Sequence, residues 1–212
     1  MVLLGAALVF PPVEMASSEG ILAFGGDLKP ERLMLAYRSG IFPWYNEGEP
    51  IIWYCPEERM VLFPNELRIS KSMHQVMRSK TLTITNNTAF EQVISQCQNS
   101  PRKDQLGTWI TDDMKQAYLK LHELGFARSV EVWQDDELVG GLYGIDLGHV
   151  FCGESMFSKA SNTSKLAFIH LVQQLEKKQY KLIDCQVYNE HLESLGAREI
   201  PRNEFMEILL DD

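Results

Sequence analysis

Two short segments of the chain combine apolar residues with side chains that could carry acid–base chemistry. In FCGESMF, Glu154 is flanked by apolar residues, so its carboxylate is costly to bury without a partner. In KLIDCQVYN, the period of two of a β-strand places Leu182, Asp184, Gln186 and Tyr188 on one face. Asp184 could bind an ammonium group or take its proton, and Gln186 could donate to an oxyanion. The alternatives are an internal arginine partner for Glu154 and a strand with one solvated face.

A basic segment lies between Glu66 and Glu91, and no acidic residue falls between them. Its cations are Arg68, Lys71, Arg78 and Lys80. The chain has 212 residues and a net charge of -9, so a polyanion could bind only at a local basic patch of this kind. Such cations could contact phosphates, although charge alone favours an ordinary solvated helix face.

A cluster of aromatic residues precedes the basic segment. Its members are Phe42, Trp44, Tyr45, Trp53 and Tyr54. Exposed aromatic rings stack on unpaired bases, whereas buried rings would form the core of a small domain. Both alternatives stay open, and we expect one or two of the five rings to face a ligand.

Periodicity and capping residues indicate the elements that must position these side chains. Helices are predicted over residues 30–40, 70–79, 88–97, 111–125 and 162–178, and strands at IIWY, TLTIT, SVEVWQ, ELVGGLYGI, HVFCG and KLIDCQVYN. Ser70 and Thr111 are predicted N-caps, and Thr88 with Glu91 is a predicted capping box. No lysine or arginine occurs before Lys29, so the apolar start, MVLLGAALVF, lacks the basic residues of a signal peptide. It is predicted to be a buried strand rather than a targeting segment.

The order of these elements predicts an α+β fold. Three antiparallel strands, a helix and a further strand are found in this order in acetyltransferase-like (GNAT-like) domains. We therefore expect a mixed, mostly antiparallel sheet in a larger domain over residues 63–212. A small N-terminal α/β domain is expected over residues 1–62. Such an analogy concerns the fold and does not specify the function.

Several classes of function lack their motifs in this sequence. The four cysteines, at 55, 97, 152 and 185, form no C-x-x-C, and the histidines have no metal-binding spacing. Neither a Walker motif nor G-x-S-x-G is present. The segment ESMFSKASNTSK before the helix at 162 has no glycine to cradle a coenzyme A pyrophosphate. We expect a cytoplasmic protein without a metal.

The motifs taken together resemble those of the bacterial leucyl/phenylalanyl-tRNA–protein transferase family. The matching segments are GILAFGGDLKPERLMLAYRSGIFPWY, IIWYCPEERMVL, GTWIT, AYLKLHELGFARSVEVW, ELVGGLYGI, FCGESMF, KLIDCQVYN and HLESLGAREIPR. They cover most of residues 20–202. The combination of LAFGGDL, GIFPW, FCGESMF and LIDCQ makes the resemblance specific.

The resemblance implies transfer of Leu or Phe, and less readily Met, from aminoacyl-tRNA to the amino terminus of proteins that begin with Arg or Lys. Proteins tagged in this way enter N-end rule degradation. The ester of the aminoacyl-tRNA is already activated, so no cofactor is implied. The partners would be Leu-tRNA, Phe-tRNA and the acceptor proteins, with no membrane, and the enzyme would be a monomer.

The resemblance also implies roles for individual residues. Trp44 and Trp109 would hold the terminal adenosine of the tRNA, and the basic segment would contact its acceptor stem. Glu154 would anchor the cationic acceptor, while Asp184 and Gln186 would generate the neutral amine and stabilise the oxyanion. The aminoacyl pocket would be formed by Leu142, Phe151, Met156, Phe168, Leu171 and Ile183.

Two other functions remain as alternatives. An acyl-CoA-dependent N-acyltransferase could use a similar fold, but the missing glycine turn argues against it. A non-catalytic RNA-binding protein would have no need for Glu154, Asp184 and Gln186 to converge.

Overall fold

The structure is a computed structural model that describes residues 2–100 and 109–211. Within these residues the strands are β1 (Val2–Leu4), β2 (Ile21–Gly25), β3 (Phe42–Pro43), β4 (Ile52–Tyr54), β5 (Glu58–Leu62), β6 (Leu82–Asn86), β7 (Ala127–Gln134), β8 (Glu137–Asp146), β9 (Val150–Ser158), β10 (Leu182–Gln186) and β11 (Arg198–Pro201). The α-helices are α1 (Pro30–Arg38), α2 (Lys71–Met77), α3 (Phe90–Asn99), α4 (Asp112–Glu123), α5 (Thr163–Lys177), α6 (Glu190–Glu193) and α7 (Arg202–Leu210). Gly107 and Thr108 of the GTWIT segment lie outside the described residues, as do Met1 and Asp212 at the ends of the two predicted domains.

The strands form two sheets. The small sheet has the order β1-β2-β4-β3, and the large sheet has the order β11-β5-β10-β9-β8-β7-β6. In the large sheet only β9 and β10 are parallel, and α5 lies between them in the sequence. This sheet is mixed and mostly antiparallel, which confirms the predicted α+β, GNAT-like fold class. The predicted domain boundary at 62–63 stays a prediction, and β5, which ends at it, pairs with β10 and β11 of the large sheet.

Helices α1, α2 and α4 begin where capping chemistry predicted them. The hydroxyl oxygens of Ser70 and Thr111 each accept a hydrogen bond from the backbone amide three residues later, at 3.2 Å, and cap α2 and α4. Pro30 opens α1, and Gly40 follows its end with a φ of 72°. A positive φ is tolerated by glycine, which is why it suits this position.

The predicted capping box at Thr88 is wrong. Helix α3 begins at Phe90 after Ala89, which makes no side-chain cap bond. The Thr88 hydroxyl instead donates to Glu131 of β7, at 3.1 Å. Glu131 is completely buried, and the requirement of a buried carboxylate for donors outweighs the local capping preference.

Three other local predictions are also corrected. The apolar N-terminus forms only the short strand β1, and Leu3, Leu8 and Val9 are exposed rather than buried. Strand β9 does not end at Cys152 but continues to Ser158. Strand β5 was not predicted, because it begins with the charged residues Glu58 and Arg59. Its remaining residues, Met60, Val61 and Leu62, are fully buried in the large sheet.

Gly144 of β8 should be sensitive to the addition of a single methyl group. A Cβ at this position would overlap the carbonyl oxygen of Cys152 and lie 2.5 Å from a ring carbon of Phe151. We expect Gly144→Ala to lower the free energy of unfolding by about 1–3 kcal/mol, as overpacking typically does. Gly5→Ala is the control, because nothing lies within 4 Å of its Cβ position. Urea unfolding measures both, and equal midpoints would contradict this packing.

Candidate active site

A cavity lies where two neighbouring strands stop pairing. The parallel ladder between β9 and β10 ends at the pair Cys152 and Asp184. Beyond it the cavity, with a volume of about 700 Å³, is lined by Glu154 of β9 and Gln186 of β10. In open sheets the separation of adjacent strands creates room for a ligand, so this is the candidate active site.

Both strands carry a β-bulge at this point. In β9 the residues on either side of Glu154 pair with Gly144 and Tyr143, so Glu154 is the extra, unpaired residue. In β10 Asp184 pairs with Val61 and Gln186 with Met60, so Cys185 is the extra residue. Bulges re-aim side chains beside active sites. Here they bring Glu154 and Gln186 together.

The Glu154 carboxylate is held by two donors. The Gln186 side-chain amide donates to Oε1 at 2.8 Å, and the Tyr118 hydroxyl donates to Oε2 at 2.9 Å. The hydroxyls of Tyr118 and Tyr37 are themselves hydrogen-bonded to each other. Both tyrosines are buried, and burial together with Glu154 holds the pKa of Tyr118 well above 10. Tyr118 therefore stays protonated and acts as a donor.

The surroundings of Glu154 place the pKa of its carboxyl group near neutral pH. Burial raises the pKa of Glu154 from an ordinary 4.5 to about 7. The donors Tyr118 and Gln186 and the neighbouring Tyr37 hydroxyl oppose this rise, and the negative charge of Asp184 adds to it. A carboxyl group with a pKa close to the working pH is suited to accept and return a proton.

Asp184 does not lie in the cavity. Its Oδ1 accepts from Nε of Arg59 at 2.8 Å, and its Oδ2 accepts from Nη2 at 2.7 Å. The Oδ1 atom also accepts from the backbone amide of Gln186 at 2.9 Å. The expectation that Asp184 and Gln186 share a face is wrong, because the extra residue Cys185 breaks the alternation. The role expected for Asp184 toward an acceptor amine stays a prediction.

All the residues expected to bind the donor ester line the same cavity. The expected aminoacyl pocket, formed by Leu142, Phe151, Met156, Phe168, Leu171 and Ile183, lies on its wall. Trp44 and Trp109, expected to hold an adenosine, line it too. The structure thus brings these eight side chains to the same cavity as Glu154 and Gln186. Their roles in binding remain predictions.

The aromatic cluster divides between core and cavity. Phe42 and Trp44 line the cavity, whereas Trp53 is completely buried and donates from Nε1 to the carbonyl of Gly25. Tyr45 is buried, and Tyr54 packs against Trp44. Two of the five rings therefore face the cavity.

The basic segment lies apart from the cavity wall. Each of its four cations is exposed, and none is among the residues that line the cavity: Arg68, Lys71, Arg78 and Lys80. Such a surface is available to a ligand larger than the cavity.

Three side chains that organise the site were not predicted as functional residues. Tyr37 and Tyr118 lie within predicted helices to which the sequence gives no functional role, and Arg59 lies outside every predicted element. A buried tyrosine hydroxyl needs a hydrogen-bond partner, which is the signal that the sequence offered. An arginine between acidic residues and the apolar run MVL offered no comparable signal.

The described residues include neither a metal-binding cluster nor a membrane-spanning helix. Within residues 2–100 and 109–211, no group of three His, Cys, Asp or Glu side chains is arranged to hold a metal ion. No helix in the same part of the chain is long and apolar enough to cross a membrane.

The order of the large sheet defines a GNAT-like α+β fold, and the cavity lies at the end of the parallel pair of β9 and β10. Comparison with family models identifies the family within this class. Residues 61–210 match leucyl/phenylalanyl-tRNA protein transferase, and residues 26–57 match the N-terminal domain of the same proteins. The chain belongs to the leucyl/phenylalanyl-tRNA protein transferase family.

Curated relatives agree with this assignment. The leucyl/phenylalanyl-tRNA–protein transferase of Flavobacterium johnsoniae is 65% identical over 202 residues, which cover 95% of each chain. That of Syntrophus aciditrophicus is 54% identical and covers 97% of this chain and 86% of its own. The solved structure of L-PGS from Bacillus licheniformis has a TM-score of 0.42 at 15% identity, over 77% of this chain and 55% of its own.

The raised pKa of Glu154 predicts how stability depends on pH. Between pH 4.5 and 7 the folded state holds a proton that the unfolded state has released, so the free energy of unfolding falls as pH rises. The slope is at most about 1.4 kcal/mol per pH unit. Glu154→Gln should remove this contribution. In urea unfolding, the free energy of unfolding of the variant should therefore increase relative to that of the wild type between pH 5 and 7.

The exposed Glu207 provides the matched control. Glu207→Gln makes the same chemical change on the surface and should follow the wild type at each pH. Parallel stability curves for Glu154→Gln and the wild type would contradict the raised pKa.

Proposed function

We propose that the protein transfers Leu or Phe, and less readily Met, from aminoacyl-tRNA to the amino terminus of proteins that begin with Arg or Lys. The proposal is carried by one observation: a carboxylate held by Tyr118 and Gln186 faces an apolar cavity. An amine nucleophile needs a cation-binding, proton-accepting group beside a pocket for the donor side chain. The family membership reported above supports the same reaction.

The donor ester enters the apolar part of the cavity. The Leu or Phe side chain contacts the wall that includes Phe168 and Ile183, and the terminal adenosine stacks on Trp44 and Trp109. An apolar pocket separates side chains by only ~1–3 kcal/mol per methylene, so Met is accepted to some degree. β-Branched side chains are excluded by shape.

The acceptor binds through Glu154. The ionised carboxylate attracts the cationic amino terminus, and burial strengthens this attraction because the local dielectric is low. After the ammonium has lost one proton to solvent, the neutral amine attacks the ester carbonyl carbon. The new C–N bond forms, the C–O bond to the ribose breaks, and the second amine proton passes by way of Glu154 to the ribose oxygen. Positioning of amine and ester supplies much of the acceleration.

Gln186 has two tasks in this arrangement. One side-chain N–H holds Oε1 of Glu154. The second N–H is available to the oxyanion of the tetrahedral intermediate. Asp184 stays on the far side of the bulge, paired with Arg59, and does not touch the substrate.

The remaining features of the function are proposed on the same basis. The basic segment contacts phosphates of the acceptor stem, which makes binding insensitive to tRNA sequence. The activated ester supplies the free energy, so the reaction proceeds without a cofactor. The enzyme acts as a monomer in the cytoplasm, and its products enter N-end rule degradation.

The direct test is transfer of radiolabelled leucine from charged tRNA to a peptide that begins with Arg. We expect label on this peptide and none on a control peptide that begins with Ala. Glu154→Gln should slow transfer by about 10²–10⁴-fold, the range for loss of a general base, while tRNA binding is retained. Glu207→Gln should transfer at the wild-type rate.

Other outcomes would identify a different function. Absence of label with intact tRNA binding would contradict the transferase and favour an RNA-binding protein. Binding of coenzyme A in calorimetry, together with acetyl transfer, would favour an acyl-CoA-dependent enzyme.

The salt dependence of tRNA binding tests the basic segment. Each phosphate contact releases counterions, so Lys71→Ala should weaken binding and reduce the slope of log K against log salt by about 1. Lys120→Ala, which removes an exposed lysine paired with Glu123, is the control and should leave the slope unchanged. Equal slopes for Lys71→Ala and the wild type would place the tRNA elsewhere. Filter binding over a range of salt concentrations measures all three.

A further inference from the structure

Arg59 is an arginine buried beneath the cavity. It lies on β5, and its side chain is 2% exposed, while that of its partner Asp184 is 1% exposed. Two parallel N–H···O bonds of 2.8 and 2.7 Å join the guanidinium to the carboxylate. This bidentate geometry fixes the carboxylate in orientation as well as in position.

Aromatic rings enclose the guanidinium. Its Cζ lies 4.7 Å from the ring centre of Phe42 in the small sheet and 4.6 Å from that of Phe205 in α7. Its Nη1 atom is buried without a hydrogen-bond partner among the described residues. A buried ion pair adds little stability compared with apolar residues of similar volume, and an unmade hydrogen bond reduces it further. Stability alone therefore does not account for Arg59.

The carboxylate of Asp184 connects Arg59 to the cavity. Its Oδ1 accepts the backbone N–H of Gln186, whose φ is 68°. A residue other than glycine is strained in this left-handed region and stays there only where its surroundings hold it. The bond from Gln186 to Glu154 depends on this backbone conformation, because it directs the Gln186 side chain into the cavity.

We propose that Arg59 is a positioning residue of the transfer reaction. It orients Asp184, Asp184 holds the strained backbone of Gln186, and Gln186 places the carboxylate of Glu154. Asp184 accordingly serves as a fixed hydrogen-bond acceptor and not as the acceptor of a substrate proton. The inference rests on the function proposed above, since its readout is transfer from aminoacyl-tRNA.

Arg59→Lys tests the proposal because lysine keeps the charge but cannot form the bidentate pair. We expect kcat to fall about a hundredfold, the effect of misplacing a reacting group by about 1 Å. The KM for aminoacyl-tRNA should stay within about twofold, since the aminoacyl pocket and the two tryptophans are unchanged.

The pH profile of the same variant separates positioning from a general loss of structure. The groups that face Glu154 are Tyr118 and Tyr37, Gln186, and Asp184. Loss of the Gln186 bond removes an influence that lowers the pKa of Glu154, whereas the tyrosines stay in place. The midpoint of the pH–rate profile should therefore move to higher pH in Arg59→Lys.

Arg198→Lys is the matched control. Arg198 also pairs with a carboxylate, Glu66 at 3.2 Å, and also lies over a ring, Phe63 at 4.7 Å. Its side chain is 48% exposed and has no bond to Asp184. This variant should keep the wild-type kcat and midpoint.

A second variant keeps the test decisive if Arg59→Lys does not fold, as circular dichroism would show. Asp184→Asn retains an oxygen acceptor for the Gln186 amide, so we expect reduced kcat with the pH-dependent limb still present. Complete loss of that limb would identify Asp184 as the proton acceptor and overturn the proposal. A folded Arg59→Lys with wild-type kcat would overturn it as well. Failure of the wild type itself to transfer leucine would refute the proposed function instead.

Discussion

Two carboxylates and one guanidinium lie close together in the interior of this protein, and their need for partners shapes the structure around them. A buried charge is tolerated only when it is paired or hydrogen-bonded. Arg59 pairs with Asp184 through two short bonds. Among the described residues no cation pairs with Glu154, which is held by the neutral donors Tyr118 and Gln186. Burial in this neutral surrounding raises the pKa of Glu154 to about 7.

The partners of these charges come from distant parts of the chain. Tyr37 belongs to α1 and Tyr118 to α4, while Phe42 and Phe205 contact Arg59 from the small sheet and from α7. The site is therefore an assembly of both sheets and their helices, held by contacts of high sequence separation. Residues on both sides of the predicted boundary at 62–63 form the cavity wall.

The chemistry follows from the two bulges at the end of the parallel pair. A regular β10 would direct Asp184 and Gln186 to the same face, and a regular β9 would leave Glu154 paired opposite β8. The extra residue in each strand instead brings an amide and a carboxylate together beside an apolar wall. An amine and an activated ester can meet there with little further assistance, since the ester needs no additional activation.

Much of this protein was determined by local sequence. The caps at Ser70 and Thr111, and the positions of α5 and of five of the seven strands of the large sheet, follow from short-range rules, because hydrogen bonding and periodicity act within a few residues. The residues of the cavity wall could also be predicted from the sequence, through motifs whose combination is specific to one family. Local rules failed at Thr88, where the buried Glu131 competes for the hydroxyl.

Only the tertiary structure decided which acid faces the cavity. The period of two of a β-strand assigned Asp184 and Gln186 to one face. A bulge, however, depends on the register with a partner strand, and the sequence of one strand alone does not determine that register. The pairing of Arg59 with Asp184 spans 125 residues, and the bond between Gln186 and Glu154 spans 32. Side chains that are remote in sequence acquire their protonation and roles from such contacts, so these properties emerge only when the chain is folded.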